Sequence, residues 1–471
     1  MQKTTKKTGI KRETVMEILF LLFLFCLYFM WARIQPLNAS PDEKMRYQVA
    51  EYIYQNWSLP RGDDSAIRDP MWGISYAFSP ILDYMIAAVF MKLVSFVTTK
   101  TFALLMAARL VSIFCGVATA FFALRIGKRL FDDSKAWLFV IFISTMPGAV
   151  FVTSYVNTDA MALMATAMIV YAWVLGIQDG WNFKNCTLLS VGIGICALSY
   201  YNAYGFILCS IVLFGSTLLM QSKEKGEYRT FVKFGAFVTV FVLILIGWWF
   251  VRNYILYDGD FLGRNASAIC AQKYASPGLK PSDKETPMSS GLTFFEMLGN
   301  TYGPVTISWI ELVSRSFVGR FGSLDIAMPA WVENNYMDFI KVGFLLVFIH
   351  PVRTFALKNR EGFRKEGIFN WCMLIAMVIP NLLNAWYSYS SDYQPQGRYS
   401  LPMLVALTYF MVVGYGNLFD ELVRSVKVRK NVYRVLCLLL TGLSVYVYLT
   451  VFWPAYMTVP FSIGAFLAGA A

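Results

Sequence analysis

Stretches of about twenty apolar residues recur along the whole of this 471-residue chain. That is the length a helix needs to cross a hydrocarbon layer about 30 Å thick. Inside such a layer every backbone donor and acceptor needs a protein partner, which leaves only helices or a closed barrel. Barrel strands alternate apolar and polar residues, so continuous apolar runs exclude a barrel. Composition agrees: 57% of the residues are hydrophobic and 15% are charged, against about a quarter charged in soluble domains. The expected fold class is an all-α polytopic membrane protein.

The net charge of +12 does not point to nucleic acid. The basic residues fall in short clusters between apolar runs, the pattern of cytoplasmic loops. Seven of the eight cysteines lie in or at the ends of apolar runs and only Cys270 sits in a long polar loop, so no disulfide framework is expected. The opening segment is basic and then apolar, without a small-residue cleavage site, and reads as a retained first helix.

Residues 1–14 read as a cytoplasmic tail carrying Lys3, Lys6, Lys7, Lys11 and Arg12, and 15–471 as one membrane domain. The segment 79–97 decides the topology. It is short and carries Asp83 and Lys92. If it crossed, the later basic clusters would face outward. If it lies along or re-enters the outer surface, four clusters, around Arg125, Lys223, Arg353 and Arg424, all face the cytoplasm. The second choice gives eleven spans, at 15–35, 103–124, 136–153, 160–177, 186–201, 205–221, 231–251, 337–351, 367–387, 400–418 and 433–453. It leaves two long outer segments, 36–102 and 252–336, the second expected to form a partly helical cap. No internal repeat is evident.

Ionisable residues then gather at the expected outer rim. Such groups near membrane depth mark function by default. Asp42 and Glu43 follow helix 1 in "NASPDEKMRY". Arg109 lies near the outer end of the second span. Asp159 sits in "SYVNTDAM", Arg252 and Asn253 in "WWFVRNY", and Arg398 with Tyr399 in "QGRYSLP". Each has a plainer reading. Arg109 could snorkel or pair with an acid. Arg252 sits in an aromatic belt with Trp248, Trp249 and Tyr254. Asp159 and Asp42 could cap helices, Ser40-Pro41-Asp42-Glu43 being a good helix start. His350, the only histidine, falls near a cytoplasmic helix end and is expected neither as a catalytic base nor as part of a metal cluster. Asn38-Ala39-Ser40 matches a glycosylation acceptor weakly.

The order of these features resembles the GT-C class of membrane glycosyltransferases, which includes protein O-mannosyltransferases and the aminoarabinose transferases of lipid A. The likeness rests on "SPDE" at 40–43, "AARLVSIFCGVATA" at 107–120, "RIGKRLF" at 125–131, the outer Asp159, "WWFVRNY" at 248–254 and "QGRYSLP" at 396–402. The last stretches are similar to a largely uncharacterised bacterial branch, many of whose members place histidine shortly after the acids; here "PDEKMRY" stands instead. The resemblance implies inverting transfer of a sugar from a polyprenyl-phosphate donor to an acceptor hydroxyl on the outer face of the cell membrane. Asp42 would be the general base, with Glu43 sharing or tuning that role. Arg398, Arg252 and Arg109 would hold the donor phosphate, with Asp159, Tyr399 and Asn253 in support. The acceptor is a glycan, lipid or protein, and a divalent cation is an open expectation with no evident ligand set. Alternatives are a polymerase or ligase using lipid diphosphates, drawing on Arg264, Arg315 and Arg320 of the outer loop, and a lipid or glycan flippase or transporter, which should show repeats.

Overall fold

The computed structural model describes residues 12–224, 226–349 and 360–468. The basic tail up to Lys11, Lys225, the lone His350, Arg353 and Lys358 lie outside them.

The described chain is almost entirely helical. In order the helices are α1 (Arg12–Ile34), α2 (Glu43–Asn56), α3 (Leu82–Ser95), α4 (Thr101–Leu130), α5 (Asp133–Thr145), α6 (Pro147–Val152), α7 (Asp159–Gln178) and α8 (Phe183–Ala197). There follow α9 (Tyr204–Glu224), α10 (Tyr228–Leu256), α11 (Arg264–Tyr274), α12 (Phe294–Gly299), α13 (Trp309–Gly319), α14 (Ala330–Leu345), α15 (Arg360–Ser390), α16 (Leu404–Leu422) and α17 (Val426–Val447). Two two-residue strands, Arg320–Phe321 and Ile326–Ala327, pair with each other as an antiparallel hairpin.

Eight helical stretches among the described residues are long and apolar enough to cross a membrane, not the eleven expected. Two expected spans are broken or short, and a third lies partly outside the described residues. The run at 136–153 is broken: Met146 adopts ψ 125° ahead of Pro147, splitting α5 from α6, because proline's ring excludes helical geometry from its predecessor. Helix α8 has 15 residues, a rise of about 23 Å against a core of about 30 Å, while α14 continues as a further helical turn at Leu346–Ile349, so that the expected span 337–351 runs past the described residues. Helix α3, within the segment expected at the interface, has 14 residues.

Burial ranks the spans. In α7, and in the stretch Gly397–Leu422 that runs into α16, 83% of the most apolar window is buried. In α10 the figure is 11%. The first two therefore form the centre of the bundle, and α10 presents its apolar side chains outward. Close packing at the centre needs small residues: a Cβ on Gly414 of α16 would lie 1.9 Å from the Gly343 carbonyl oxygen of α14.

Charge is sorted along the bundle axis. Arg109 sits near the first end of α4, while Arg125 and Lys128 sit 16 and 19 residues further on, about 24 Å and more away. There Arg125 and Lys128 pair with Glu17 of α1, and Lys128 also with Glu13. Lys135 and Arg429 share Asp420, and Lys365 pairs with Glu224. At the opposite end the two long non-spanning segments lace together. The Tyr257 hydroxyl accepts from Gly62 N–H at 2.8 Å, Cys270 donates its thiol to the Gly73 carbonyl, and Ser276 N–H bonds the Met71 carbonyl. The later segment, expected as a cap, is helical in part (α11, α12, α13), and Met297, Trp309 and Val313 pack on Ala385 of α15.

Candidate active site

The two most enclosed helical stretches begin at the same place. Asp159 is the first residue of α7, and Arg398 is the second residue of the stretch that leads into α16. Arg398 is delivered by Gly397, which lies directly on α13: a Cβ there would come within 2.0 Å of the Phe317 amide nitrogen. Only glycine allows that approach, and Gly397 N–H completes it by donating to Ser316 Oγ at 2.8 Å.

Asp42 reaches the same spot from α2. It immediately precedes the helix, with φ 60°, and its side chain caps nothing. The expectation that Ser40 and Asp42 start the helix by capping is therefore corrected. Ser40 Oγ instead donates to Gln35 Oε1 at 2.5 Å, and Gln35 donates to Ser154. The Asp42 conformation is left-handed, a cost of order 1–3 kcal/mol for a non-glycine residue. It is held by Asn38, whose Oδ1 accepts from Lys44 N–H.

Four charges meet here. Arg398 donates from Nη2 to Asp42 Oδ2 at 2.8 Å. Arg46 lies one turn along α2, 4.0 Å from Asp42 and 3.7 Å from Asp159. Arg398 is 3.9 Å from Asp159. Tyrosines surround the group. The Arg46 guanidinium sits 4.5 Å from the Tyr76 ring centre, and Arg398 sits 4.8 Å from that of Tyr399. Arg398 also donates to Gln396 Oε1 and to the Tyr399 hydroxyl, which donates on to Gln394.

The four differ in access. Asp159 and Arg46 are 1% and 2% exposed, Arg398 is 9% exposed, and the Asp42 side chain is 30% exposed. Asp42 is thus the open acid of the group. It lines a cavity of about 1040 Å³ between the two laced segments and residues 392–396. Burial pushes the Asp42 carboxyl up, but the charges of Arg398 and Arg46, with hydrogen bonds from Arg398 and Tyr76, outweigh it and hold it below the usual carboxylate range. Asp159 has no hydrogen-bond partner on either oxygen, and Arg398 has none on Nη1. Asp83 of α3 is fully buried, also without partners on either oxygen. Burial pushes its carboxyl up to about 8, which keeps it neutral beside this cluster at pH 7.

Glu43 and Arg109 sit elsewhere. Both are 0% exposed and form a two-pronged pair, Nε to Oε1 and Nη2 to Oε2, each 2.7 Å. Glu43 also accepts from Val156 N–H, and Arg109 donates to the Ala32 and Gln35 carbonyls. The expected share of Glu43 in base chemistry and of Arg109 in phosphate binding do not fit this geometry, because neither group can touch a substrate. Arg252 donates to the Pro60 carbonyl at 2.7 Å and stacks near Trp249. Asn253, fully buried, accepts from Arg252. This second pair anchors the loop before Gly62, and the structure does not bring it to Asp42. Arg46, by contrast, was not singled out from the sequence. Its signal was present: it stands four residues after Asp42 in a helix, the spacing at which side chains share a face.

The residues do not fit a resident divalent ion. No group of three or more histidine, cysteine, aspartate or glutamate side chains among the described residues could hold one. The two nearest carboxylates, Asp42 and Asp159, are already bridged by two guanidiniums within 4.0 Å, which would repel a cation placed between them.

Residues 61–407 match the family described as "Predicted membrane protein (DUF2142)", and the chain belongs to that family. No curated protein matches it by sequence. Among solved structures it is similar to ArnT from Cupriavidus metallidurans bound to undecaprenyl phosphate, at 13% identity and TM-score 0.50, covering 92% of this chain and 70% of that one. It is similar to the Archaeoglobus fulgidus oligosaccharyltransferase in the apo form, at 11% identity and TM-score 0.52, covering 96% of this chain and 56% of that one. The same organism's oligosaccharyltransferase AglB, in complex with an inhibitory peptide and a dolichol-phosphate, gives 9% identity and TM-score 0.50, with 97% and 56% covered. The chain thus spans little more than half the length of the archaeal enzymes. At these identities the likeness shows the fold, and that fold is the GT-C architecture expected from the order of motifs.

Proposed function

We propose that this multi-pass membrane protein is a glycosyltransferase that takes a sugar from a polyprenyl-phosphate donor and passes it to an acceptor hydroxyl on the outer face. The observation that carries the reading is the pairing of Asp42, the open acid of a four-charge cluster, with Arg398, whose Nη2 bonds that acid at 2.8 Å. Asp42 takes the acceptor's proton as its oxygen attacks the anomeric carbon. The bond from that carbon to the phosphate oxygen breaks, and its electron pair leaves with the phosphate. The leaving phosphate gains charge where Arg398 stands, in a site that excludes most water. Arginine's planar fork matches phosphate oxygens better than a point charge would. Asp159 and Arg46, both sealed, hold the two working groups at fixed separation.

The pairing also times the base. While Arg398 bonds Asp42, the carboxylate is a poor proton acceptor. A donor phosphate competes for the same guanidinium, and its arrival frees Asp42 and raises its pKa toward the working range. Inversion of configuration follows from direct attack by the acceptor. The lipid tail would run along the outward-facing apolar surfaces of α10 and α15, where Leu243, Ile244, Ile375 and Leu382 are exposed. Sorting of Arg125, Lys128 and Arg429 to the far end supports an outer-face site, since basic loops stay cytoplasmic.

The polymerase reading loses two of its arginines: Arg315 and Arg320 are both paired with Glu333. The transporter reading asks for charge at mid-membrane, whereas the charged cluster here lies where the central helices begin. The test is transfer of labelled sugar from synthetic polyprenyl-phosphate donors by the purified full chain, with and without chelator. Transfer by the wild type in chelator, absent in Asp42→Asn, is the expected result. Full activity in Asp42→Asn removes Asp42 from the role.

A further inference from the structure

The cavity beside Asp42 has a composition unlike the rest of this chain. Its volume of about 1040 Å³ reaches the top of the range of about 300–1,000 Å³ usual for small-molecule sites, so it suits an oligomer better than one small residue. Three aromatic side chains face it: Trp72, Tyr302 and Tyr393. Tyr302 and Tyr393 stand edge to face, with ring centres 4.9 Å apart. Trp72 is held by its own turn, where Asp69 Oδ1 accepts from the Met71 and Trp72 N–H groups at 2.8 and 2.9 Å. Such rings offer flat apolar faces with polar edges, the complement of the C–H face of a pyranose.

The charge is inverted as well. The chain carries +12 overall, yet five carboxylates line the cavity against two lysines. Lys284 and Asp392 pair at 2.6 Å over Trp72 and Asp42 pairs with Arg398, which leaves Asp69, Asp283 and Glu285 against Lys44. Carboxylates accept hydrogen bonds, while the amides of Gln394 and Gln396 can donate as well as accept. That mixture matches hydroxyl and amine groups and repels phosphate- or carboxylate-rich ligands. A peptide in extended form would seek a free strand edge, but the described strands pair with each other and the hairpin offers the cavity only its turn, Ser323 and Leu324.

We propose that this cavity binds the acceptor, and that the acceptor is a saccharide chain, neutral or carrying amino groups. Its role as an acceptor rests on the transferase reading; its ligand chemistry does not, and the experiment separates them. The purified full chain, without donor, is applied to an array of defined neutral, amino and uronic-acid oligosaccharides and of serine/threonine peptides, and hits are titrated calorimetrically. Neutral or amino oligosaccharides should bind, uronic-acid ones at least about tenfold more weakly. Trp72→Ala and Tyr302→Ala should each weaken binding about tenfold. Glu285→Lys, at an exposed cavity residue where folding is not at stake, should shift preference toward uronic-acid chains by about threefold. Peptide or uronic-acid binding equal to or tighter than the best neutral saccharide overturns the proposal, as does no saccharide binding anywhere on the array. Saccharide binding with no transfer from any polyprenyl-phosphate donor would leave this inference standing and sink the transferase reading.

Discussion

Asp42 and Glu43 are neighbours in sequence with the same chemistry, and each meets an arginine, but the two pairs live in different worlds. Glu43 and Arg109 are both sealed, bonded through both prongs, and tied further to Ala32, Gln35 and Val156. Asp42 and Arg398 share one bond, with the acid open to the cavity and the arginine's other prong turned toward the sealed Asp159 at 3.9 Å. A saturated buried pair can only hold structure. A pair joined by one bond, with one open member, can exchange partners. The difference comes from a single left-handed residue: φ 60° at Asp42 turns its side chain outward while the helix that follows carries Glu43 inward.

The largest effect expected from breaking this contrast is on the open side. Asp42→Asn should cut transfer by roughly 10²–10⁴ while thermal unfolding in detergent stays near wild type; equal losses of stability and activity would erase the distinction. On the sealed side, Arg109→Met strands a buried Glu43 carboxylate and should cost about 3–5 kcal/mol, read as a collapse in folded yield or a large drop in melting temperature. A near-normal melting temperature there, with activity lost, would move Arg109 into the chemistry. Arg398→Gln comes next, with an expected fall of roughly 10²–10³ in kcat and a changed pH profile. In wild type the acid limb of kcat/KM should lie below the ordinary carboxylate value of 3.8, since the competent form is the ionised one and its charged neighbours favour it. Removing Arg398 takes away the largest of those favouring charges, so the limb should move up in pH; an unmoved limb would uncouple the two residues. The smallest effect belongs to Arg252→Gln, which should leave kcat within about threefold and affect only the loop it anchors at Pro60; a loss as large as that of Arg398→Gln would restore Arg252 to the phosphate site.

Much of this was legible in the residues. Apolar runs announced the helices, and a charged residue in so apolar a chain is conspicuous enough that Asp42, Asp159 and Arg398 could be named from distant segments before anything placed them together. What spacing could not convey is which way an acid points. Asp42 and Glu43 look alike in sequence; only the turn through Asn38 and Asp42 separates them. Arg109 and Arg252 carry the same charge as Arg398, but their partners are backbone carbonyls and a buried acid, which no motif announces. Arg46 is readable from its helical distance to Asp42, although the motif itself ends at the acids. The number of spans is the least legible part, because hydropathy smooths over a break, as at Pro147, and does not register that an apolar helix such as α8 is shorter than the layer.

Gly397, bare against the backbone of α13, makes a rigid joint out of two segments far apart in sequence. Leu312 of the same α13 forms part of the cavity wall. A ligand settling against that wall would touch the same helix on which Gly397, the residue before Arg398, rests. Under the proposed function, filling the cavity and gripping the donor phosphate would both act on this one helix, so the order in which the two substrates load should leave its mark on how tightly each is held.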